Sequence, residues 1–150
     1  MTTTDRIEKE ILLRASRSRV WRAITDSREF GAWFGVNLKG AFAVGETIKG
    51  NVTAAGYTHV TMSVLVERME PERLFAYRWH PYDVDPKTDL SAEPMTLVEF
   101  RLEDAPGGTR LFIVESGFDR LPPHRRDEAF RMNDSGWQEQ LENVRKHVEV

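Results

Sequence analysis

The stretch VEFRLEDAPGGTRLFIVESGFDRLPPHRRDEAFRMNDSGWQEQLENVRKHV, residues 98–148, decides the fold. Val98, Phe100 and Leu102 alternate with Glu99 and Arg101, the period-two pattern of a strand with one buried face. Pro106-Gly107-Gly108-Thr109 is turn chemistry, and Leu111 to Ser116 is the returning strand, ending at Gly117-Phe118. Pro122-Pro123 then suits the first turn of a helix. Phe130, Trp137, Leu141, Val144 and Val148 fall on one side of that helix at helical spacing. About 25 residues at ~1.5 Å each make a rod of roughly 38 Å, enough to cross a whole sheet. A hairpin followed by a long amphipathic helix predicts a sheet wrapped around that helix, an architecture that can enclose a pocket.

The upstream chain supplies the rest of the sheet. Ile7, Lys9, Ile11 and Leu13 form one face of a first strand, with Glu8 and Glu10 on the other. Ser16 can cap a helix whose apolar stripe is Val20, Trp21 and Ile24. Asp26-Ser27 ends it and starts a shorter helix through Phe30, Trp33 and Phe34, stopped by Gly35. Strands follow near 36–44 and 46–53, joined tightly at Gly45. From Thr58 to Arg68, Val60, Met62, Val64 and Val66 alternate with polar residues, and Leu74–His80 reads as the next strand after Pro71. Pro81–Pro94, with three Pro and several acidic residues, reads as a long exposed loop, a kind that often covers a site. The expected fold class is α+β: about seven strands of curved antiparallel sheet, two short helices after strand 1, and the long helix at the end.

Composition narrows the function classes. At 150 residues the chain reads as one domain, 1–150, large enough for a proper core. A net charge of −3 gives no electrostatic reason to expect nucleic acid or an anionic membrane. The absence of Cys excludes disulfides, thiolate metal sites and cysteine catalysis. No apolar run approaches the roughly 20 residues that span a bilayer. Met1-Thr2-Thr3-Thr4-Asp5 lacks the charged and apolar regions of a signal peptide, so a cytoplasmic protein is expected. The glycines punctuate short elements, and none precedes the Lys-Ser/Thr of a phosphate loop. His59, His80, His124 and His147 lie on different elements without metal-ligand spacing, so neither a metal nor a cofactor is expected.

Several segments, in this order, resemble the family of activator-of-heat-shock-chaperone-ATPase homologues, within the helix-grip (START-like, SRPBCC) superfamily. They are Ala15…Val20-Trp21…Ile24-Thr25, Trp33-Phe34, Glu70-Pro71…Arg73-Leu74…Trp79, and Val98…Phe100…Leu102. Gly107-Gly108-Thr109-Arg110-Leu111, Glu115-Ser116-Gly117-Phe118 and Gly136-Trp137…Leu141 complete the set, which covers nearly the whole chain. The resemblance implies the helix-grip fold. It is poor for function, because such a fold hosts ligand carriers, polyketide cyclases, stress-response proteins and a co-chaperone domain alike. Relatives include dimers, which makes a homodimer one expectation. A chaperone partner is another, weakened because this chain has no room for the chaperone-docking domain of the eukaryotic co-chaperone.

The residues expected to carry function are Trp33, Tyr77, Trp79, Glu115, Phe118, Asn133 and Trp137, as the lining of a cavity for a small apolar or amphipathic molecule. The aromatics either line that pocket or simply fill the core. Glu115 shares a strand face with Leu111 and Ile113. If that face points inward, burial raises the carboxyl pKa and makes Glu115 a polar anchor or a general acid/base. If its place near the strand end lets it reach water or an Arg, it is inert. Asn133 interrupts the apolar stripe of the last helix close to Gly136. A glycine inside a helix costs on the order of 1 kcal/mol against Ala, so a close sheet backbone or a gap for a ligand should compensate. Two alternatives to the carrier stand beside it. One is a cyclase or dehydratase using Glu115 with Tyr77 or His80. The other is a co-chaperone or stress-response domain that binds a partner through its outer surface.

Overall fold

The computed structural model describes residues 5–85 and 87–149. Met1–Thr4, Pro86 of the acidic loop and Val150 lie outside them, and with them the expectation drawn from the N-terminal residues. The elements run β1 (Arg6–Leu13), α1 (Arg17–Thr25), α2 (Ser27–Phe34), β2 (Val36–Lys39), β3 (Thr47–Val52), β4 (Thr61–Glu70), β5 (Leu74–Trp79), β6 (Thr96–Ala105), β7 (Gly108–Ser116) and α3 (Pro123–Val148). The strands form one seven-stranded sheet in the order β1-β7-β6-β5-β4-β3-β2, antiparallel at every pairing. This is the helix-grip layout expected from the hairpin and the terminal helix.

Local chemistry sets the boundaries. The Ser16 side chain accepts a hydrogen bond from the Arg19 amide and opens α1, and the Asp26 carboxylate accepts from Arg28 and Glu29 to open α2. Gly35 ends α2 with φ +94°, a left-handed turn that suits glycine. One expected strand is shorter than the alternation suggested: β2 stops at Lys39, and residues 40–46 form a turn rather than a strand running to Val44. Glycines with positive φ, Gly40 and Gly45, break the ladder there.

Two devices curl the sheet. Between Val66 and Arg68 the β4–β5 register slips, leaving Glu67 as the extra residue of a bulge, which bends the strand and increases its twist. At Gly50 a Cβ would lie 2.1 Å from the Asn37 carbonyl oxygen and 2.6 Å from the Leu38 Cα. Only glycine lets β2 approach β3 that closely. The curled sheet encloses a core of Ile7, Leu13, Val64, Val66, Phe75, Phe100, Leu111 and Ile113, all buried. Ala129, Trp137, Leu141, Val144 and Val148 are the buried residues of α3. Phe130, expected on that buried stripe, is half-buried and packs edge-on against Phe118.

The C-terminal end of α3 is tied to the front helices. Glu29 accepts hydrogen bonds from Arg19 at 2.6 Å and Arg22 at 2.9 Å, and its Oε1 lies 2.9 Å from His147 Nε2. Arg19 and Arg22 of α1 thus pair with α2 rather than simply facing solvent. The Pro81–Pro94 loop is likewise less free than its composition implies. Arg125 on α3 donates to the carbonyls of Pro81 and Tyr82 and to Glu93, and Leu90 is buried.

Gly50→Ala should destabilise the protein by about 2 kcal/mol or more, since overpacking costs ~1–3 kcal/mol and here the obstacle is backbone. Urea denaturation of the variant beside Gly45→Ala, whose Cβ meets nothing within 4 Å but whose φ is +84°, separates close approach from backbone strain.

Candidate functional site

Glu115 points inward. It lies on one rung of the sheet with Ile7 of β1, Val98 of β6, Tyr77 of β5 and Val66 of β4, all of them buried. An ionised carboxylate in such a row carries a desolvation penalty of several kcal/mol unless its lone pairs are met. They are met by neutral donors. Trp79 Nε1 donates to Oε2 at 2.7 Å and Thr96 Oγ1 to the same oxygen at 2.5 Å. Trp137 Nε1 donates to Oε1 at 2.8 Å, and Asn133 Nδ2 reaches Oε1 at 2.9 Å and Oε2 at 3.2 Å. Among the described residues no Arg, Lys or His nitrogen forms an ion pair with it.

Burial pushes the Glu115 pKa above its ordinary value of 4.5, while the hydrogen bonds from Thr96, Trp79, Trp137 and Asn133 pull it down. Tyr77 is buried beside it, and among the described residues its hydroxyl has no hydrogen-bond partner. Burial first, and then the charge of Glu115, hold that phenol well above its usual pKa of 10, so it stays neutral.

In front of the carboxylate, two openings meet at the surface. The larger, of ≈ 200 Å³, is lined by Phe34, Val60, Met62, Trp79, His80, Tyr82, Asp83 and Asn133, among others. The smaller, of ≈ 140 Å³, is lined by Phe34, Trp79, Asn133, Gly136, Trp137, Glu139 and Gln140. Phe34, Trp79 and Asn133 are common to both and form the wall between them. Glu115 itself lines neither; it lies behind Trp79, Asn133 and Trp137, whose polar ends turn toward it.

The cleft is built by three parts of the chain. α2 delivers Phe34, whose carbonyl accepts a hydrogen bond from Gln140 of α3 at 3.0 Å. β5 delivers Trp79, tilted 31° against Trp137 with ring centroids 5.8 Å apart. The loop after β5 delivers His80 and Tyr82. His80 Nε2 lies 3.0 Å from the Glu93 carbonyl, so the ring is anchored rather than a free strand-end side chain. Tyr82 adopts a left-handed φ of 51°, held by the grip of Arg125 on its carbonyl. Such conformations persist where surrounding contacts over-determine them, often at functional sites.

Of the seven residues singled out from the sequence, the fold brings Tyr77, Trp79, Glu115, Asn133 and Trp137 together. Trp33 and Phe118 stand apart from both openings: the Trp33 indole donates to the Ala23 carbonyl at 2.8 Å, and Phe118 packs against Phe130. Of the two compensations expected at Gly136, the close sheet backbone is absent, because a Cβ there would meet nothing within 4 Å. The glycine borders the smaller opening instead. Sequence reasoning missed Thr96. Its signal was a hydroxyl two residues before Val98 on the inward face of β6, but pairing it with Glu115 requires the strand register.

With the geometry established, comparison with known proteins assigns the lineage. The profile of the family described as Activator of Hsp90 ATPase homolog 1-like protein matches residues 14–149. The chain belongs to that family. No curated protein matches the chain. Among solved structures, protein MLL2253 from Mesorhizobium loti is 22% identical, with TM-score 0.75 and 96% of each chain covered. The Aha1 dimer from Colwellia psychrerythraea is 19% identical, with TM-score 0.72, covering 97% of this chain and 96% of that one. DynU16, from the dynemicin biosynthetic locus, is 21% identical with TM-score 0.74, and this chain spans 48% of its length. At these identities the solved structures show that the fold is shared. Among the described residues no helix is long and apolar enough to cross a membrane, and no group of His, Asp and Glu is arranged to hold a metal ion.

Glu115→Ala should destabilise the protein by about 3–5 kcal/mol, because it leaves buried donors on two strands and a helix without an acceptor. Glu115→Gln isolates the charge. A raised folded-state pKa means that stability is lost as pH rises from 4.5 to that pKa and is constant above it. The stability of wild type relative to the Gln variant should therefore fall with pH across that window, by at most ~1.4 kcal/mol per pH unit. Urea titrations from pH 4 upward read it. A relative stability that grows with pH would mean that the donors outweigh burial.

Proposed function

We propose that the protein binds a small apolar or amphipathic molecule in the cleft between α3 and the curved sheet. The observation that carries this reading is the pair of openings that share Phe34, Trp79 and Asn133, beside a helical glycine that no packing contact requires. Apolar and aromatic side chains dominate the larger opening, and a few polar groups converge on it, the common pattern of a ligand site. Its ≈ 200 Å³ lies below the roughly 300–1,000 Å³ of drug-sized pockets. The occupant is accordingly small, or the end group of a longer molecule whose remainder lies along the loop after β5. Trp79, Asn133 and Trp137 are the contacting residues in this reading, Glu115 orients them from behind, and Tyr77 backs the wall.

Catalysis by Glu115 is the second reading, and its raised pKa is the feature that favours it. Access argues against it. Both oxygens are already occupied by donors, and the indoles that separate them from the cleft cannot relay a proton. His80 borders the larger opening, but no hydrogen bond links it to Glu115. A partner-binding role would use the outer face of β1, β7 and β6, where Phe112 and Val114 lie among Glu8, Glu10, Arg101 and Glu103. The dimeric relative from Colwellia psychrerythraea supports a homodimer as one such partner.

Gly136 provides the test. Gly136→Ala should raise stability by about 1 kcal/mol through helix propensity alone. Gly136→Leu should stay folded while filling the smaller opening. Mass spectrometry of denatured protein purified from its own host should find a stoichiometric compound with wild type and little with Gly136→Leu. Full occupancy in the Leu variant would move the ligand elsewhere. Protein that carries no compound, and whose melt responds to none of a panel of small amphiphiles, would defeat the binding reading. Should a compound be found, turnover by wild type and its loss in Glu115→Gln, with affinity kept, would favour the enzyme.

A further inference from the structure

The charges around the cleft are one-sided. Behind it is the Glu115 carboxylate, fully buried and met by neutral donors alone. At its edges the ionisable carboxylates are Asp83 on the larger opening and Glu139 on the smaller. Among the described residues no Lys or Arg lines either opening, and His80 is engaged with the Glu93 carbonyl. Arg125 is near the loop, but its guanidinium is committed to Glu93 and to the carbonyls of Pro81 and Tyr82.

The walls have matching electronics. Phe34, Trp79 and Trp137 form a mutual cluster with centroid separations of 6.1, 6.0 and 5.8 Å. Aromatic faces attract cations through the ring quadrupole, indole most strongly. Both indoles donate their N–H to the same carboxylate, which pushes electron density back onto the ring and makes the free face more negative. A cation against those faces would also lie near a buried anion in low dielectric, where attraction between opposite charges is strongest.

We propose that the cleft selects an organic cation, a small ammonium group carried on an apolar body, over neutral or anionic molecules of the same shape. This specifies the ligand chemistry of the binding reading above and depends on it. Trp79, half-buried, presents the cation-binding face, the buried Trp137 backs it, Glu115 polarises both indoles, and Asp83 steers the charge at the rim. An anion of the same shape would meet Glu115, Asp83 and Glu139, with no Lys or Arg among the described residues lining the openings to pair with it.

The test compares phenyltrimethylammonium with its uncharged carbon isostere tert-butylbenzene, by ligand-observed NMR titration and by melting-temperature shift. The cation should bind wild type about tenfold more tightly than the isostere, a difference of about 1.4 kcal/mol. Asp83→Asn, at an exposed position outside the core, should weaken the cation several-fold and leave tert-butylbenzene unchanged. Glu115→Gln, where its melt shows it folded, should remove most of the preference. Equal or tighter binding of tert-butylbenzene would overturn the charge selection and leave the apolar pocket standing. Binding of neither molecule at millimolar concentration would overturn both. Cation binding unaffected by Asp83→Asn and Glu115→Gln alike would place it outside this cleft and also overturn the proposal.

Discussion

A single carboxylate joins the three parts of this fold that must stay in register. Glu115 projects from β7, and its hydrogen bonds run to β5 through Trp79, to β6 through Thr96 and to α3 through Asn133 and Trp137. A purely apolar seam between helix and sheet tolerates sliding, because hydrophobic contact is non-directional. Donors converging on one pair of oxygens do not. The arrangement sets the rotation of α3 about its axis and its position along the sheet, and turns two indole N–H groups away from solvent. The surface left facing outward is then aromatic carbon, and the cleft is a consequence.

Curvature is the second constraint. Seven antiparallel strands wrap a 26-residue helix only if the sheet bends, and the bending is local. It comes from the bulge at Glu67 and from the glycine contact between β3 and β2. Both lie on the half of the sheet away from β1 and β7. The tightly laddered strands β1, β7 and β6 carry Glu115 on β7, while the curled strands β3 and β4 contribute Val52 and Met62 to the larger opening. The molecule thus pairs a rigid floor with a curled wall. The loop after β5 closes the remaining side, where Arg125 and the buried Leu90 hold it.

Much of this was legible in one dimension, and particular residues show why. The alternation of Leu111, Ile113 and Glu115 placed the carboxyl on the core face, because side-chain period in a strand is two. Ser16, Asp26 and Gly35 announced helix ends through capping chemistry that acts within a turn. Asn133 and Gly136 stood out as breaks in an apolar stripe, and both border the cleft. Two expectations failed: β2 was expected to reach Val44 and ends at Lys39, and Phe130 belonged to the helical stripe and is only half-buried. The first turns on the positive-φ glycines after Lys39 and the second on what packs against the helix, and alternation alone encodes neither.

The order of strands and helices, the length of α3, the inward side of each strand and the family are properties of the sequence itself. They follow from periodicity, turn chemistry and capping, which act over a few residues. Tertiary structure decided whether Glu115 reaches an arginine, water or neutral donors. Its partners lie 18 to 36 residues away along the chain, on elements whose register and rotation are set only when the sheet closes on the helix. It also decided that Trp33 and Phe118 leave the cleft while Trp79 and Trp137 shape it. Aromatic residues bury themselves for the same hydrophobic reason wherever they stand, and only the packed fold determines which rings keep a face toward an opening.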